Sequence, residues 1–296
     1  MLLTIILAEH IKSSNFENEN FISNNTDQLL NQYFESYIIR NSSISTNYQI
    51  FELIDQQFEL YNSTLNGLGT LFNCNNSTII VKDSVINVRL FNSVKNCELR
   101  IINSLVNNQT LFSSENSHIY IVNSSFMHLF GNISRSDSVN ITSATFAHSL
   151  YYQFIGDEIS TSISIQNSTF SNIVLSEVFQ AKIFVYDSFL NAQLAYNVEN
   201  SHIQLLNTSV SSKLVSILEN SILLLNTSLI NTKEPLIEFA IEESIILIEQ
   251  LFQQVCGRRL IELRGLFYVI NFVETKQCQA CQYFHFAPNK NNANNE

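Results

Sequence analysis

Asn116-Ser117-His118-Ile119-Tyr120-Ile121-Val122-Asn123-Ser124-Ser125-Phe126 is a phrase that most of the chain restates. It returns as Ser162-Ile163-Ser164-Ile165-Gln166-Asn167-Ser168-Thr169-Phe170 and as Ser201-His202-Ile203-Gln204-Leu205-Leu206-Asn207-Thr208-Ser209-Val210. Anchored on the Asn before Ser or its stand-in, the repeat marks Asn41, Asn62, Asp83, Asn103, Asn123, Ser143, Asn167, Asp187, Asn207 and Asn226, with Glu249 and Asn271 as weaker members. Successive anchors lie 19 to 24 residues apart, so about twelve units stack in sequence.

Two apolar columns precede the anchor. Two positions before it stand Ile39, Leu60, Val81, Ile101, Ile121, Ile141, Ile165, Val185, Leu205, Leu224, Leu247 and Val269. Four before stand Tyr37, Phe58, Ile79, Leu99, Ile119, Val139, Ile163, Ile183, Ile203, Ile222, Ile245 and Phe267. The residues between are mostly polar in the central units, as at Glu59, Arg100, Asn140 and Gln204, and this period of two marks a strand with one buried face. A third column follows three residues after the anchor, from Ile44 and Leu65 through Phe126, Phe146 and Phe170 to Leu229 and Phe252.

A unit of about twenty residues holds only short strands and turns and buries its apolar side against its neighbours, which is the logic of a solenoid. Helical solenoids need units of about 33 residues or more and a 3.6 period, and leucine-rich repeats need a different Leu and Asn spacing. From about Tyr37 to Val273 the anchors and columns resemble the right-handed parallel β-helix, or pectin-lyase-like, repeat proteins. The resemblance implies an all-β, single-stranded right-handed parallel β-helix of about twelve coils, with stacked Asn side chains forming a ladder inside a turn. Asn41, Asn62, Asp83, Asn103, Asn123, Asn167, Asp187, Asn207 and Asn226 are the ladder residues expected from it.

The composition fits this reading. The 296 residues are 45% hydrophobic, with 22 Phe and no Trp, and so suffice for a long Phe-filled core. With Gly 6 and Pro 2, the turns rest on Asn, Asp and Ser, which tolerate tight geometry. Twelve coils at the strand spacing give a rod roughly 55 Å long.

Three segments follow along the chain. Residues 1–35 hold an apolar octet from Met1 to Ala8, a linker over 13–26, and a short amphipathic helix predicted over 27–34 as a cap. The octet has the apolar run of a secretory signal at its shortest but neither flank, and a first strand packed on the solenoid end is the other reading. Residues 36–275 are the β-helix, with its largest insertion between Ser149 and Thr161, where Tyr151, Tyr152, Phe154 and Gly156 leave the period. Residues 276–296 carry Cys278-Gln279-Ala280-Cys281 and an Asn-rich tail expected to be disordered. With no second Cys pair or His pair at ligand spacing, no zinc site is assigned.

Cys74 and Cys97 are 23 residues apart and Cys256 and Cys278 are 22 apart, so each pair spans about one coil and stacking permits a disulfide. Five reduced thiols are the plain alternative. The formal net charge of -11, with charged residues at 14%, leaves no basic footprint for nucleic acid, and no segment is long enough to span a membrane. Asn-x-Ser/Thr acceptors recur, many on the anchors, where the repeat itself explains them and the Asn is expected buried. Asn75, Asn108 and Asn132, expected in turns, are the better glycosylation candidates.

Pectin-lyase-like proteins include polysaccharide lyases and hydrolases, whose carboxylates and basic residues sit on outward positions of adjacent coils. The nearest constellation here is Glu59, Lys82, Glu98 and Arg100, for which a solvated charge ladder is the ordinary explanation. The hydrolase family's Asn-Thr-Asp, Asp-Asp and Gly-His-Gly signatures are absent. His118 and His202 share a column four coils apart, and Arg258, Arg259 and Arg264 cluster near the last coils, where capping or charge balance accounts for them. No cofactor motif is read. The expected function is a non-enzymatic extracellular or cell-surface scaffold binding a glycan or protein ligand along the rod. A polysaccharide lyase or hydrolase on the same fold is the first alternative, and a cytoplasmic fragment of a larger solenoid the second.

Overall fold

A left-handed Asn at each end of a five-residue strand builds this molecule. The computed structural model describes residues 36–47, 51–156, 161–191 and 193–226, apart from some side chains, and short strands outside them. Seven of the front strands are bracketed by two residues with φ near +50°, seven positions apart: Asp55 and Asn62, Asn76 and Asp83, Asn96 and Asn103, Asn116 and Asn123, Ser136 and Ser143, Gln180 and Asp187, Asn200 and Asn207. Asn and Asp enter this region more readily than other residues bearing a Cβ, so the sequence supplies the corners without glycine.

The strands stack in parallel ladders. The front sheet has 13 strands, and from Ser36–Arg40 to Ile222–Asn226 ten of them complete nine turns with an unbroken register such as Leu99↔Ile119 and Ile119↔Val139. After the corner that ends the front strand, a two-residue strand, Ser125–Phe126 in the quoted coil, joins a second ladder, and after a turn Gly131–Arg135 joins a third, the back sheet. In the early coils the last two ladders merge into single strands, Thr64–Asn75 and Val85–Lys95. The chain is therefore an all-β parallel β-helix, and no helix occurs among the described residues.

The core is the tube interior. Ile119, Ile121, Val139, Ile141, Ile163 and Ile165 are buried from the front sheet, and Phe126, Phe146 and Phe170 stack at 4.7 Å within 4° of parallel from the second ladder. Pairing extends beyond the expected limits of 36 and 275: Ser14–Glu17 pairs with Ser36–Arg40, and Phe284–Phe286 pairs with Ile261–Leu263. An open parallel edge offers unpaired N–H and C=O groups to any extended segment, so the ends recruit strands that the column pattern does not mark. The predicted octet and cap helix lie outside the described residues.

Two expectations need correction. Tyr151 and Phe154 do not leave the period. Tyr151–Ile155 is a back-sheet strand in register with Gly131–Arg135, both rings are buried, and the extra residues are confined to 157–160, outside the described residues. In the coil of Asn226 the inward residues are Leu223 and Leu225, not Ile222 and Leu224. Its run Ile222-Leu223-Leu224-Leu225 carries no alternation, so the preceding corner sets the phase: Asn220 takes φ 44° and the Ser221 hydroxyl accepts the Ser201 N–H at 2.9 Å. The offset continues into the next coil, where Ile246 is buried and Ile245 is not. A one-residue slip exchanges every inward and outward side chain, so the position of one Asn decides the face of the strand.

Candidate functional site

At each corner the left-handed residue keeps its side chain outside and turns the next residue inward. The expected ladder is therefore exposed rather than enclosed: Asn41, Asn62, Asp83, Asn103, Asn123, Asn167, Asp187 and Asn207 all face solvent. Asn62 Nδ2 donates to Asn41 Oδ1 at 2.7 Å, Asn103 to Asp83 at 3.0 Å, Asn123 to Asn103 at 2.9 Å and Asn207 to Asp187 at 2.7 Å. Every link has the later residue donating, and a carboxylate has no proton to give, so Asp83 and Asp187 receive a bond but send none onward.

The buried ladder belongs to the residue after the anchor. The Ser63 N–H donates to Ser84 Oγ, Ser84 N–H to Ser104 Oγ and Ser104 N–H to Ser124 Oγ at 3.1 to 3.2 Å, while each hydroxyl donates to the carbonyl two residues before it. One hydroxyl thus satisfies a buried N–H of the coil before it and a carbonyl of its own coil, both freed by the corner. The second corner repeats the device through Ser77, Ser117, Ser201 and Ser221. Cys97 occupies this column between Ser77 and Ser117. Its Sγ is joined to Cys74 Sγ (S–S 2.27 Å, Cα–Cα 6.7 Å). Cys256 and Cys278 lie outside the described residues.

Outside this second corner, where it meets the front sheet, the surface opens into two shallow clefts. One, of about 290 Å³, is lined by Asn76, Asn96, Asn116, Thr78, Glu98 and His118 with Ser77 and Cys97 beneath. The other, of about 270 Å³, is lined by Gln180, Asn200, Asn220, Lys182, His202 and Ile222 with Ala181 and Ser201 beneath. Both are made from the same three positions of three successive coils: the corner residue, the inward residue and the first outward residue of the strand. The coils between them set Ser136, Ser138 and Ser162 at those outer positions.

His202 is the most constrained polar group of the second cleft. Its Nε2 is shielded and finds no hydrogen-bond partner, its ring lies 6.2 Å from that of Phe184, and burial first, then the Lys182 charge, lowers its pKa. The imidazole is thus held toward its neutral form, beside the amides of Asn200 and Asn220, which are hydrogen-bonded to each other. His118 stands at the equivalent place beside Glu98 and is exposed.

The structure divides the four charged candidates. Glu59 and Arg100 share an outer column but are separated by Ile80 on the strand between them, while Lys82 lies beside Tyr61 and Ile102, two residues further along. Glu98 and Arg100 do meet: Nε and Nη2 donate to Glu98 Oε1 at 2.8 and 2.6 Å, and the guanidinium lies over Tyr120 at 5.7 Å. Among the described residues no ion pair reaches Lys82, and no group of three or more His, Cys, Asp or Glu side chains is arranged to hold a metal. Arg258, Arg259 and Arg264 lie outside the described residues.

Sequence reasoning missed Asp137, which stands in the second-corner column one coil after Ser117. It is fully buried, accepts the Ser117 N–H at 2.8 Å and the Ser134 hydroxyl at 2.7 Å, and also accepts from Ser114. Burial outweighs these bonds and raises its pKa from 3.8 to about 6. The Tyr151 hydroxyl is enclosed nearby without a partner of good geometry, its own pKa raised by burial and then by the Asp137 charge. Gly131 makes room for the Tyr151 ring, whose Cε1 would lie 2.5 Å from an added Cβ.

The acceptor sites also change rank. Asn75 and Asn132 lie in strands, and only Asn108 is in a turn. Their hydroxyl partners Ser77, Thr110 and Ser134 are buried, whereas Ser43, Thr64, Ser125, Thr169 and Ser209, which follow anchor Asn residues, are partly exposed. No helix among the described residues is long and apolar enough to cross a membrane.

No protein-family model, curated protein or solved structure matches this chain. The functional reading accordingly rests on the geometry of its surface.

Proposed function

We propose that the chain is a non-enzymatic scaffold, secreted or displayed at a cell surface, that binds an extended glycan along the corner between its second Asn column and its front sheet. The observation that carries this reading is the shielded, unpartnered Nε2 of His202 in a cleft walled by stacked amides, with a second cleft at the same positions around His118. A buried polar atom without a partner costs stability unless a ligand completes it. Amides repeated at the coil spacing of about 4.8 Å present donors and acceptors at nearly the interval of successive sugars. The Cys74–Cys97 bridge suits an oxidising compartment.

A glycan array followed by calorimetry with the best oligosaccharide tests the proposal. His202→Ala is expected to weaken binding at least ten-fold while the circular dichroism spectrum stays that of the folded protein. Equal binding by both proteins, or no retention of any glycan, refutes it. The enzyme reading draws on one observation, the Glu98 and Arg100 pair beside His118 at the first cleft. New reducing ends or unsaturated products from a polysaccharide panel, abolished by Glu98→Gln, would replace the scaffold reading with that one.

A further inference from the structure

His128 and His148 lie on the opposite stretch of the coil, in the turns that follow the short strands Ser125–Phe126 and Thr145–Phe146. Their rings are 5.7 Å apart at centroids, within 4° of parallel, and both residues are exposed. The turns beneath them are fixed. Met127 N–H donates to Val106 O and Ala147 N–H to Phe126 O, each at 2.9 Å, and the buried Phe126 and Phe146, two residues before the imidazoles, stack on each other. Two imidazoles are thereby set one above the other on a rigid support.

We infer that His128 and His148 form a two-imidazole site for a divalent transition-metal ion, copper(II) foremost. Imidazole is a strong ligand for copper, nickel and zinc, and for a given nitrogen set copper(II) binds tightest of the three. Metal–nitrogen bonds of about 2 Å place two ligand nitrogens about 3 Å apart, which the exposed rings reach by tilting toward each other over the existing stack. The flanking amides do not compete for that space: Asn108 and Asn172 each turn their Oδ1 to the next backbone N–H at 2.8 Å. Water fills the remaining coordination positions. The site is separate from the corner clefts, so it stands or falls independently of the glycan reading.

Titration of the full chain with copper(II) chloride at pH 7.5, followed by calorimetry and electron paramagnetic resonance, is the test. One copper per chain with two equatorial imidazole nitrogens is expected. His128→Asn and His148→Asn should each weaken it at least ten-fold and His118→Asn should leave it unchanged. In the unmutated chain, zinc should protect His128 and His148 together from acylation by diethyl pyrocarbonate, a readout that needs no variant to fold. Unchanged copper binding in the His128→Asn/His148→Asn double variant, or no protection of either ring, overturns the inference.

Discussion

Replacing Asp137 by Asn is expected to stabilise the protein at neutral pH and to leave it nearly unchanged in acid. The carboxyl is enclosed in the tube with a pKa near 6, against 3.8 in the ordinary state. As pH rises the unfolded chain loses this proton first, so the stability that Asp137 contributes is complete below about pH 4 and is lost as pH passes through 6. A pKa displaced by about two corresponds to ~3 kcal/mol, an upper figure for the cost of carrying the charge at pH 7.5. The substituted amide keeps an oxygen for the Ser117 N–H, and its NH₂ group donates to the Ser114 or Ser134 hydroxyl, which can turn toward Tyr151. Urea unfolding followed by circular dichroism at pH 4 and pH 7.5 measures the difference between the two proteins. The variant should gain about 2 to 3 kcal/mol on wild type at the higher pH and little at the lower. A difference that does not change with pH would refute the assignment of a charged, solvent-excluded carboxylate.

The hydroxyl ladder makes a paired prediction: Ser104→Ala strands the buried Ser84 N–H and should cost about 1 to 3 kcal/mol, whereas Ala144→Ser should add about 1 kcal/mol by giving the Ser124 N–H an acceptor. Chemical denaturation of the two variants checks both, and an Ala144→Ser protein no more stable than wild type counts against the ladder. The Cys74–Cys97 bridge closes a 23-residue loop, so Cys74→Ser should lower stability by roughly 3 kcal/mol, and peptide mass mapping without reduction should recover the Cys74 and Cys97 peptides joined.

How far the sequence reveals this fold depends on which residue carries the signal. The inward columns are legible only where a polar or amphipathic residue separates two aliphatic ones, as at Ile119-Tyr120-Ile121 and Ile163-Ser164-Ile165, because the buried face then has a unique phase. In Ile222-Leu223-Leu224-Leu225 either phase buries apolar area, and only the Asn220-Ser221 corner resolves it. That second corner is present in the opening phrase at Asn116-Ser117, but reading one Asn per repeat conceals it. Stacked amides can satisfy one another, and on that ground the anchors are expected inside. In the folded chain the left-handed turn sends the amide out and the hydroxyl in, a matter of backbone geometry that residue type does not encode. The clefts are illegible for a related reason: each draws on residues about twenty apart, none of which forms a local motif.

A solenoid sorts its residues into columns, and this sorting shows where recognition can reside. Inward columns vary only among residues that fill or satisfy the tube, so their departures, such as Asp137 and Ala144, act on stability. Outward columns answer to no packing rule, and along the second corner they change character from one end to the other. The first cleft presents Glu98 with His118, and the second presents Lys182 with His202 and Ile222. Four coils separate the two His residues, about 19 Å at the strand spacing. An extended ligand long enough to touch both clefts therefore meets an acidic end and a basic, more apolar end, while the stacked amides are common to both. The amides supply contacts that any hydroxylated chain can make. On the proposed glycan reading, this difference between the ends would distinguish the two directions in which the ligand could lie.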